Sequence, residues 1–528
     1  MSASDKKKLR AAERTAKLTE KQQAEQKEAK KLKIMTTIFV VVLAVMVVFA
    51  AVTGVTKTIE GKGIREKNTV ALTVDGHEIS NAELNYYFIN SVNTFYSQYG
   101  SYATLFGLDT TKPLNEQVID EETGKTWGDD FLNSAIESVK SVYALNAAAE
   151  AAGFTLPEEQ KAEIDAQLET DALYAQLYYG YTSLVDYLKA MYGRGAEEDS
   201  YRRFYEMTYI ADAYQNFYNN SLTYDDADIR EAEAENFNAY SSYSSNTYYL
   251  NVSSFENLSA AEKVAKALTD EEINTVEALD AAIAALPINA ESTTAASSAS
   301  EDVLFSSVSS IYADWVTDAS RKAGDITYVP YDYTSTDDNG NETTETRGYY
   351  VVLFNGCNDN NFGMSNVRHI LIKPEGGTTD STTGLTTYTD EEKDAALKIA
   401  NDILHQWKAG EATEDSFAAL ANEHSADGDG TTGGLYEGIN PSTSFVSSFK
   451  NWALDAHEIG DTDIIWSEYG YHIMYYCGQT EQTYRDYMIE TNLRSADLSD
   501  WYYGLTGAVI AEVGNTKYIS TGLVLSAN

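Results

Sequence analysis

Across 528 residues the chain carries 81 Asp and Glu against 38 Lys and Arg, a net charge of −43, with two cysteines and 39 tyrosines. Such acidity argues against a nucleic-acid partner, and two cysteines exclude a disulfide scaffold. The length admits about three or four domains. Zinc-type Cys/His spacings, HExxH, GxSxG and phosphate-cradling glycine loops are all missing from the sequence, so neither metal nor cofactor is expected.

Residues 1–33 hold eleven Lys and Arg against five acids, a net of +6, which leaves −49 for the remainder. Residues 34–56 contain no charge. At about 1.5 Å per residue such a stretch spans a bilayer core of about 30 Å. The expectation is a cytoplasmic basic arm (1–33), one transmembrane helix (34–56) and the acidic bulk outside the cell membrane. A cleaved signal peptide is the rival reading, with Ala50-Ala51 a loose match to a cleavage site.

Val70–Val74 alternates like a strand and Asp75-Gly76 reads as a turn. Ser80 and Glu83 form a capping box, after which Leu84, Phe88, Val92 and Phe95 recur at helical spacing. A second long helix is predicted from Asp129 to Ala152, stopped by Gly153. Thr155 and Glu158 suggest a further capping box, so 57–242 reads as an all-helical, tyrosine-rich domain. Its tyrosines read as ordinary packing, or as an aromatic surface for unfolded segments.

Beyond it the sequence repeats. Trp315 to Asp325 recurs as Trp452 to Asp461, each opening on Trp-x-x-Asp-Ala and closing on Gly-Asp. Each copy then enters a Gly-Tyr strand, at Gly348 and at Gly470. The copies occupy 243–357 and 364–478, and 479–528 is a C-terminal extension with one more helix near Asp497–Tyr503 and a last strand. Length differences fall in 374–390 and in the polar stretch 332–347, both expected as loops. Histidines occur in the second copy only.

That copy contains His369-Ile-Leu-Ile, a segment from Phe417 to Ser425-Ala-Asp427, Gly433-Gly434-Leu435 and Tyr469-Gly-Tyr-His472, in this order. It resembles the parvulin-type peptidyl-prolyl isomerases, and the whole layout resembles exported foldases of the PrsA and SurA type. The resemblance implies a multidomain chain: a single membrane helix, an all-α chaperone-like domain and two tandem α+β parvulin-like domains, each a four-stranded antiparallel sheet with helices. Strand alternation independently puts Val367, His369 and Leu371 on one face, and His472, Met474 and Tyr476 on one face. By the resemblance, His369, Asp427 and His472 are the catalytic set, and Leu435, Phe445, Phe449, Ser467 and Tyr469 contact substrate. Phe445 departs from the Met common in the family. Phe445, Phe449 and Trp452 also read as one core-facing helix stripe.

In the first copy Tyr249 is expected in the place of His369 and Tyr350 in that of His472, which makes it a degenerate, structural or client-binding module. His424 is expected in the core, and His405 and His457 at the surface or in packing. Cys357 and Cys477 are read either as a disulfide clasp or as two free thiols. The segment 374–390 holds no Lys or Arg, so selectivity for phosphoserine-proline is not expected; only Lys373 borders it. The function expected is isomerisation of X–Pro bonds in unfolded, newly exported polypeptides, with a pure holdase or an envelope scaffold as alternatives.

Overall fold

The computed structural model describes residues 61–286, 296–336, 340–380, 385–428 and 430–525. The basic arm and the predicted membrane helix at 34–56 lie outside them. Among the described residues no helix is long and apolar enough to cross a membrane. Two compact units emerge, one taking in the chain to Leu222 and again from Asp497, the other Thr223–Ala496.

In the first unit, strands β1 (Val70–Val74) and β2 (His77–Ser80) form a hairpin. Its turn residues Asp75 and Gly76 have φ of 46° and 82°, the left-handed pair that a tight hairpin of this twist needs. Five helices follow: α1 (Asn81–Tyr99), α2 (Trp127–Ala151), α3 (Glu158–Leu177), α4 (Leu184–Tyr192) and α5 (Glu198–Ser221). The Ser80 capping box opens α1 as expected. Leu84, Phe88 and Val92 of α1 are buried against Phe131, Ala135 and Val139 of α2, each large side chain contributing about 1.5–3 kcal/mol.

Three expectations for this unit fail. It is not all-helical, because the tail strand Ala511–Val513 pairs with β1 in a three-stranded sheet, and Val118–Asp120 pairs with Lys125–Thr126. The tail is thus part of this domain rather than an extension. Buried Asn81 and Asn85 hold it, Asn81 Nδ2 donating to Asn515 O (2.7 Å) and Asn85 Oδ1 accepting from Ser520 N (2.8 Å). The second capping box does not form either: α3 starts after Pro157, with no side-chain cap. Helical geometry is disfavoured for a residue before proline, and the helix that Thr155 would cap does not start at Leu156 but after Pro157.

The second unit starts with α6 (Asp226–Glu235), which the sequence reading had assigned to the helical domain. Its Ile229 packs on Tyr240 and Ile489, and Glu233 pairs with the buried Arg485 at 2.6 Å, which ties α6 here. Next come β3 (Ser242–Asn251), α7 (Leu258–Ala267), α8 (Val276–Ala284), β4 (Ser298–Leu304), β5 (Ile326–Thr336) and β6 (Glu342–Asn358). The second repeat contains β7 (Gly363–Ile372), α9 (Asp390–Ala409), α10 (Glu414–His424), β8 (Leu435–Ile439), α11 (Ser447–Leu454), β9 (Thr462–Ser467) and β10 (Gly470–Thr483). The sheet orders are β4-β3-β6-β5 and β8-β7-β10-β9, the same topology twice, with every pairing antiparallel.

The shared Gly-Asp ending has a structural cause. Gly324 and Gly460 have φ of 94° and 97°, a region costly for side-chain-bearing residues. That geometry lets their amides donate to Phe354 O (2.8 Å) and Tyr476 O (2.9 Å) on the central strands. Asp325 and Asp461 then accept the amides of Lys322 and Glu458 three residues back. The repeated motif is a turn that closes onto the sheet, and the first copy has one more residue inside it.

Two length differences read otherwise than expected. The polar stretch 332–347 is not a loop but mostly strand, since β5 and β6 pair from Ile326 out to Thr336 with Glu342. Within 374–390, Thr378–Thr379 pairs with Thr386–Thr387. No clasp joins the cysteines: both are free thiols, Cys357 pairing opposite Tyr243 in the first sheet while Cys477 sits in the second.

Candidate active site

The neighbouring strands β7 and β10 set His472 opposite Leu371 and Met474 opposite His369. The histidines are therefore diagonal neighbours, and the pleat puts both on one face. Ile370, Ile372, Ile473 and Tyr475 fill the other face beneath α9 and α10. His369 and His472 face α11 instead, with Phe449 packed edge-on against both rings at 5.1 and 5.4 Å. Their exposures are 2% and 5%, so each ring nitrogen needs a partner.

Each has one. His369 Nδ1 lies 3.1 Å from His472 Nδ1, His369 Nε2 lies 3.0 Å from Asp427 Oδ2, and His472 Nε2 lies 2.7 Å from Ser467 Oγ. Tyr436 OH donates to Asp427 Oδ2 (3.0 Å), and the Tyr469 amide donates to Ser467 Oγ (3.1 Å). One proton on each imidazole satisfies this whole array. The Tyr469 amide donates to Ser467, Ser467 to His472, His472 Nδ1–H to His369, and His369 Nε2–H to the Asp427 carboxylate. The tautomers follow from the partners. The hydrogen bond from His369 holds the Asp427 carboxyl down at about 2, with Tyr436 adding to it. Burial, reinforced by His369 and opposed by Asp427, pushes His472 down to about 4 and keeps it neutral.

Backbone contacts bring the carboxylate to the strand. Ser425 Oγ accepts from the amides of Leu371 (3.1 Å) and Asp427 (3.2 Å), and Ala426 N donates to Leu371 O (2.8 Å). On the other side of the strand, Arg368 pairs with Glu414 at 2.9 Å and donates to the carbonyls of Thr432 and Gly433. That anchors the Gly433-Gly434 turn beside His369.

A cavity of about 330 Å³ opens over the array, lined by Leu371, Phe445, Val446 and Phe449 on its apolar side. His369, His472, Asp427 and Tyr436 form its polar side, and Lys373, Ser444 and Tyr469 complete the lining. Phe445 and Phe449 lie edge-on to one another at 5.1 Å. Of the residues expected to contact substrate, Phe445, Phe449 and Tyr469 line this cavity. Two do not. Leu435 precedes Tyr436 on β8, so pleat alternation turns it away while Tyr436 faces the cavity. Ser467 is buried and engaged with His472; it orients that ring. Tyr436 and Arg368 are site residues that the sequence does not announce, because the facing of each is set by the pairing of Tyr436 with Val367 and of Leu435 with Arg368.

The remaining histidines lie outside the site. His424 is not core but half-buried at the end of α10, its side chain 32% exposed. His405 is exposed, and His457 stacks on Trp452 at 4.1 Å.

The neutral, buried His472 makes stability depend on pH. Its pKa falls from 6.5 in the unfolded chain to about 4 in the fold. Between those values the unfolded chain binds more protons, so this contribution, roughly 3 kcal/mol, is complete above pH 6.5 and is lost as pH falls towards 4. In urea unfolding, the stability gap between the native chain and His472→Gln should narrow from pH 7 to pH 4.5. An unchanged gap would show that His472 is not held neutral.

The first sheet shows what the site looks like without imidazoles. Its register pairs Tyr350 with Tyr249 and Val352 with Thr247, just as His472 pairs with Leu371 and Met474 with His369. Thr247, not Tyr249, therefore occupies the position of His369, and the expected alignment was two residues out. Tyr350 does occupy the position of His472, and Tyr331, opposite Gly348, that of Ser467 opposite Gly470. Tyr249, Tyr331 and Tyr312 ring Tyr350 at 4.8–6.1 Å. Tyrosine hydroxyls cannot reproduce a relay that needs two nitrogens per ring.

Residues 352–480 match the family of PPIC-type PPIASE domains. No curated protein matches the chain. Among solved structures the chain is similar to the peptidylprolyl isomerase PrsA from Bacillus cereus, at 24% identity and a TM-score of 0.18 over 31% of this chain and 57% of that one. It is also similar to PrsA from Bacillus subtilis, at 14% identity and a TM-score of 0.28 over 75% and 93% of the two chains. A third likeness, 14% identical with a TM-score of 0.17 over 83% and 94%, is to SurA-like chaperones of Campylobacter jejuni. The family match spans β7 to β10, the strands that bring the two histidines together. The chain contains a PPIC-type, that is parvulin-type, peptidyl-prolyl cis-trans isomerase domain in its second repeat.

Proposed function

We propose that the chain is a foldase that isomerises X–Pro bonds in unfolded polypeptides, with His369, His472 and Asp427 as its catalytic array. The observation that carries this reading is the histidine–carboxylate relay lying against a cavity with an apolar side sized for a proline ring and its neighbour. Uncatalysed rotation about an X–Pro bond faces a barrier of about 18–20 kcal/mol and takes tens of seconds. The transition state has a twisted amide, with resonance lost between nitrogen and carbonyl. Phe445, Phe449, Leu371 and Val446 hold the ring, and the relay presents polar atoms whose orientation is fixed before substrate arrives. Such a site favours the twisted geometry over either planar isomer and so lowers the barrier. No covalent step is required.

The sequence supports an extracytoplasmic location, through the basic arm followed by an uncharged apolar segment. A membrane anchor there would place the isomerase where exported chains emerge unfolded. A chaperone role is supported by apolar side chains left in solvent at the end of α3, Leu177 at 68% and Tyr178 at 74% exposed.

The test is proline isomerisation of a short unstructured peptide by the full chain, followed by NMR exchange. Acceleration that saturates with enzyme is expected; a rate equal to the uncatalysed one would overturn the enzymatic reading. Aggregation of an unfolded reporter should also be suppressed, and persistence of that effect in an isomerase-dead variant would separate holding from catalysis.

A further inference from the structure

The helical unit holds a cavity that the isomerase reading does not use. Phe204, Tyr205, Thr208, Tyr209 and Asp212 follow one another on a single face of α5 at three- and four-residue steps. Together with Tyr192 and Gln160 they line a space of about 320 Å³. A second cavity of about 360 Å³ shares Phe204, Thr208 and Asp212 with it. Among the described residues, no Lys or Arg lines either space.

Two acceptors lining the first cavity have no donor among the described residues, one buried and one open to solvent. Gln160 Oε1 is buried without a hydrogen-bond partner. Asp212 lines the cavity while remaining exposed; it has no hydrogen-bond or ion-pair partner among the described residues, and partial desolvation by its neighbours raises its carboxyl above the ordinary value. Around them stand four aromatic rings, whose faces attract positive charge.

We propose that this cavity receives a cationic side chain, Lys or Arg, from an extended polypeptide segment. A guanidinium or ammonium supplies the donors that Asp212 and Gln160 lack and presents its charge to the rings. An apolar side chain would leave both acceptors unpaired, and an anion would meet Asp212 directly. The net charge of −43 draws basic segments towards the chain. The inference rests on the client-binding half of the proposed function and is independent of the isomerase half.

The experiment measures binding of two labelled, proline-free peptides to the full chain. One carries a single Arg in a Gly/Ser/Leu background; the other carries citrulline, its neutral isostere. The Arg peptide should bind about tenfold more tightly. Asp212→Asn, a conservative change at an unpaired position, should bring the ratio to within about twofold while leaving isomerisation of an uncharged proline peptide unchanged. Tyr205→Leu should weaken the Arg peptide without creating affinity for citrulline. Equal affinities for the two peptides, undetectable binding of both at millimolar concentration, or full preference retained in Asp212→Asn would each overturn the proposal. Loss of isomerisation in a His472 variant that keeps the Arg preference would leave it standing.

Discussion

His472→Ala should slow proline isomerisation about 5- to 150-fold while the chain stays folded, the range that corresponds to 1–3 kcal/mol for buried groups deprived of their partner. The substitution strands Ser467 Oγ and His369 Nδ1, which now meet His472 at 2.7 and 3.1 Å. With Nδ1 freed, the His369 proton is no longer directed to Nε2, and its bond to Asp427 loses its fixed sense. His369→Ala should cost at least as much, because it removes the ring that touches both other members of the array. Since all three act through one network, the double variant should be little worse than the more damaging single one. Two controls bound the result. Tyr350→Ala, at the position equivalent to His472 in the first sheet, and His405→Ala, at an exposed helical position, should leave the rate unchanged. A His472→Ala chain as fast as the native one, with native circular dichroism, would remove the relay from the catalytic account.

Much of this array was legible because strand chemistry is local. Period-two alternation put His369 and His472 each on the face of its strand that carries Val367 or Met474, whereas Asp427 rested on the family resemblance. What failed depended on partners far away in sequence. The place of Thr247 is set by its pairing with Val352 more than a hundred residues on, and no repeat motif records that register. Leu435 rests on the family resemblance alone, and pleat phase, fixed by the pairing of Tyr436 with Val367, gives the cavity to its neighbour. A strand in the tail is legible, but its partner is not: its place shows only in the pairing with β1 and in the hold of Asn81 and Asn85, more than 400 residues away. The Trp-to-Asp repeat pointed correctly to duplication, yet its conserved ends serve a turn rather than the chemistry. The side chains that differ between copies, at the positions of His369, His472 and Ser467, are where the two sheets part in chemistry.

Gly434→Val should both unfold and inactivate the second repeat. Gly434 has a φ of 66°, and a Cβ built there would lie 2.2 Å from His369 O, a backbone atom that cannot swing aside. At the same place the His369 amide donates to Gly434 O at 2.9 Å, so the turn cannot retreat without breaking the contact that seats the histidine. A β-branched residue in left-handed backbone adds strain to this overlap, and together they should cost roughly 3–5 kcal/mol. Gly434→Ala meets the same oxygen with less backbone strain and should fall between native and Val. The order native, Ala, Val should appear in urea midpoints and in isomerisation rates alike, because the atom that is displaced belongs to His369. The exposed Gly107, with φ of 82° and nothing near its Cβ position, provides the comparison: Gly107→Ala carries only the backbone strain and should lower stability without a matching loss of rate. A Gly434→Val chain with native stability would mean that the turn does not lie against the strand as described. Native stability combined with a lost rate would mean that the glycine serves substrate entry instead.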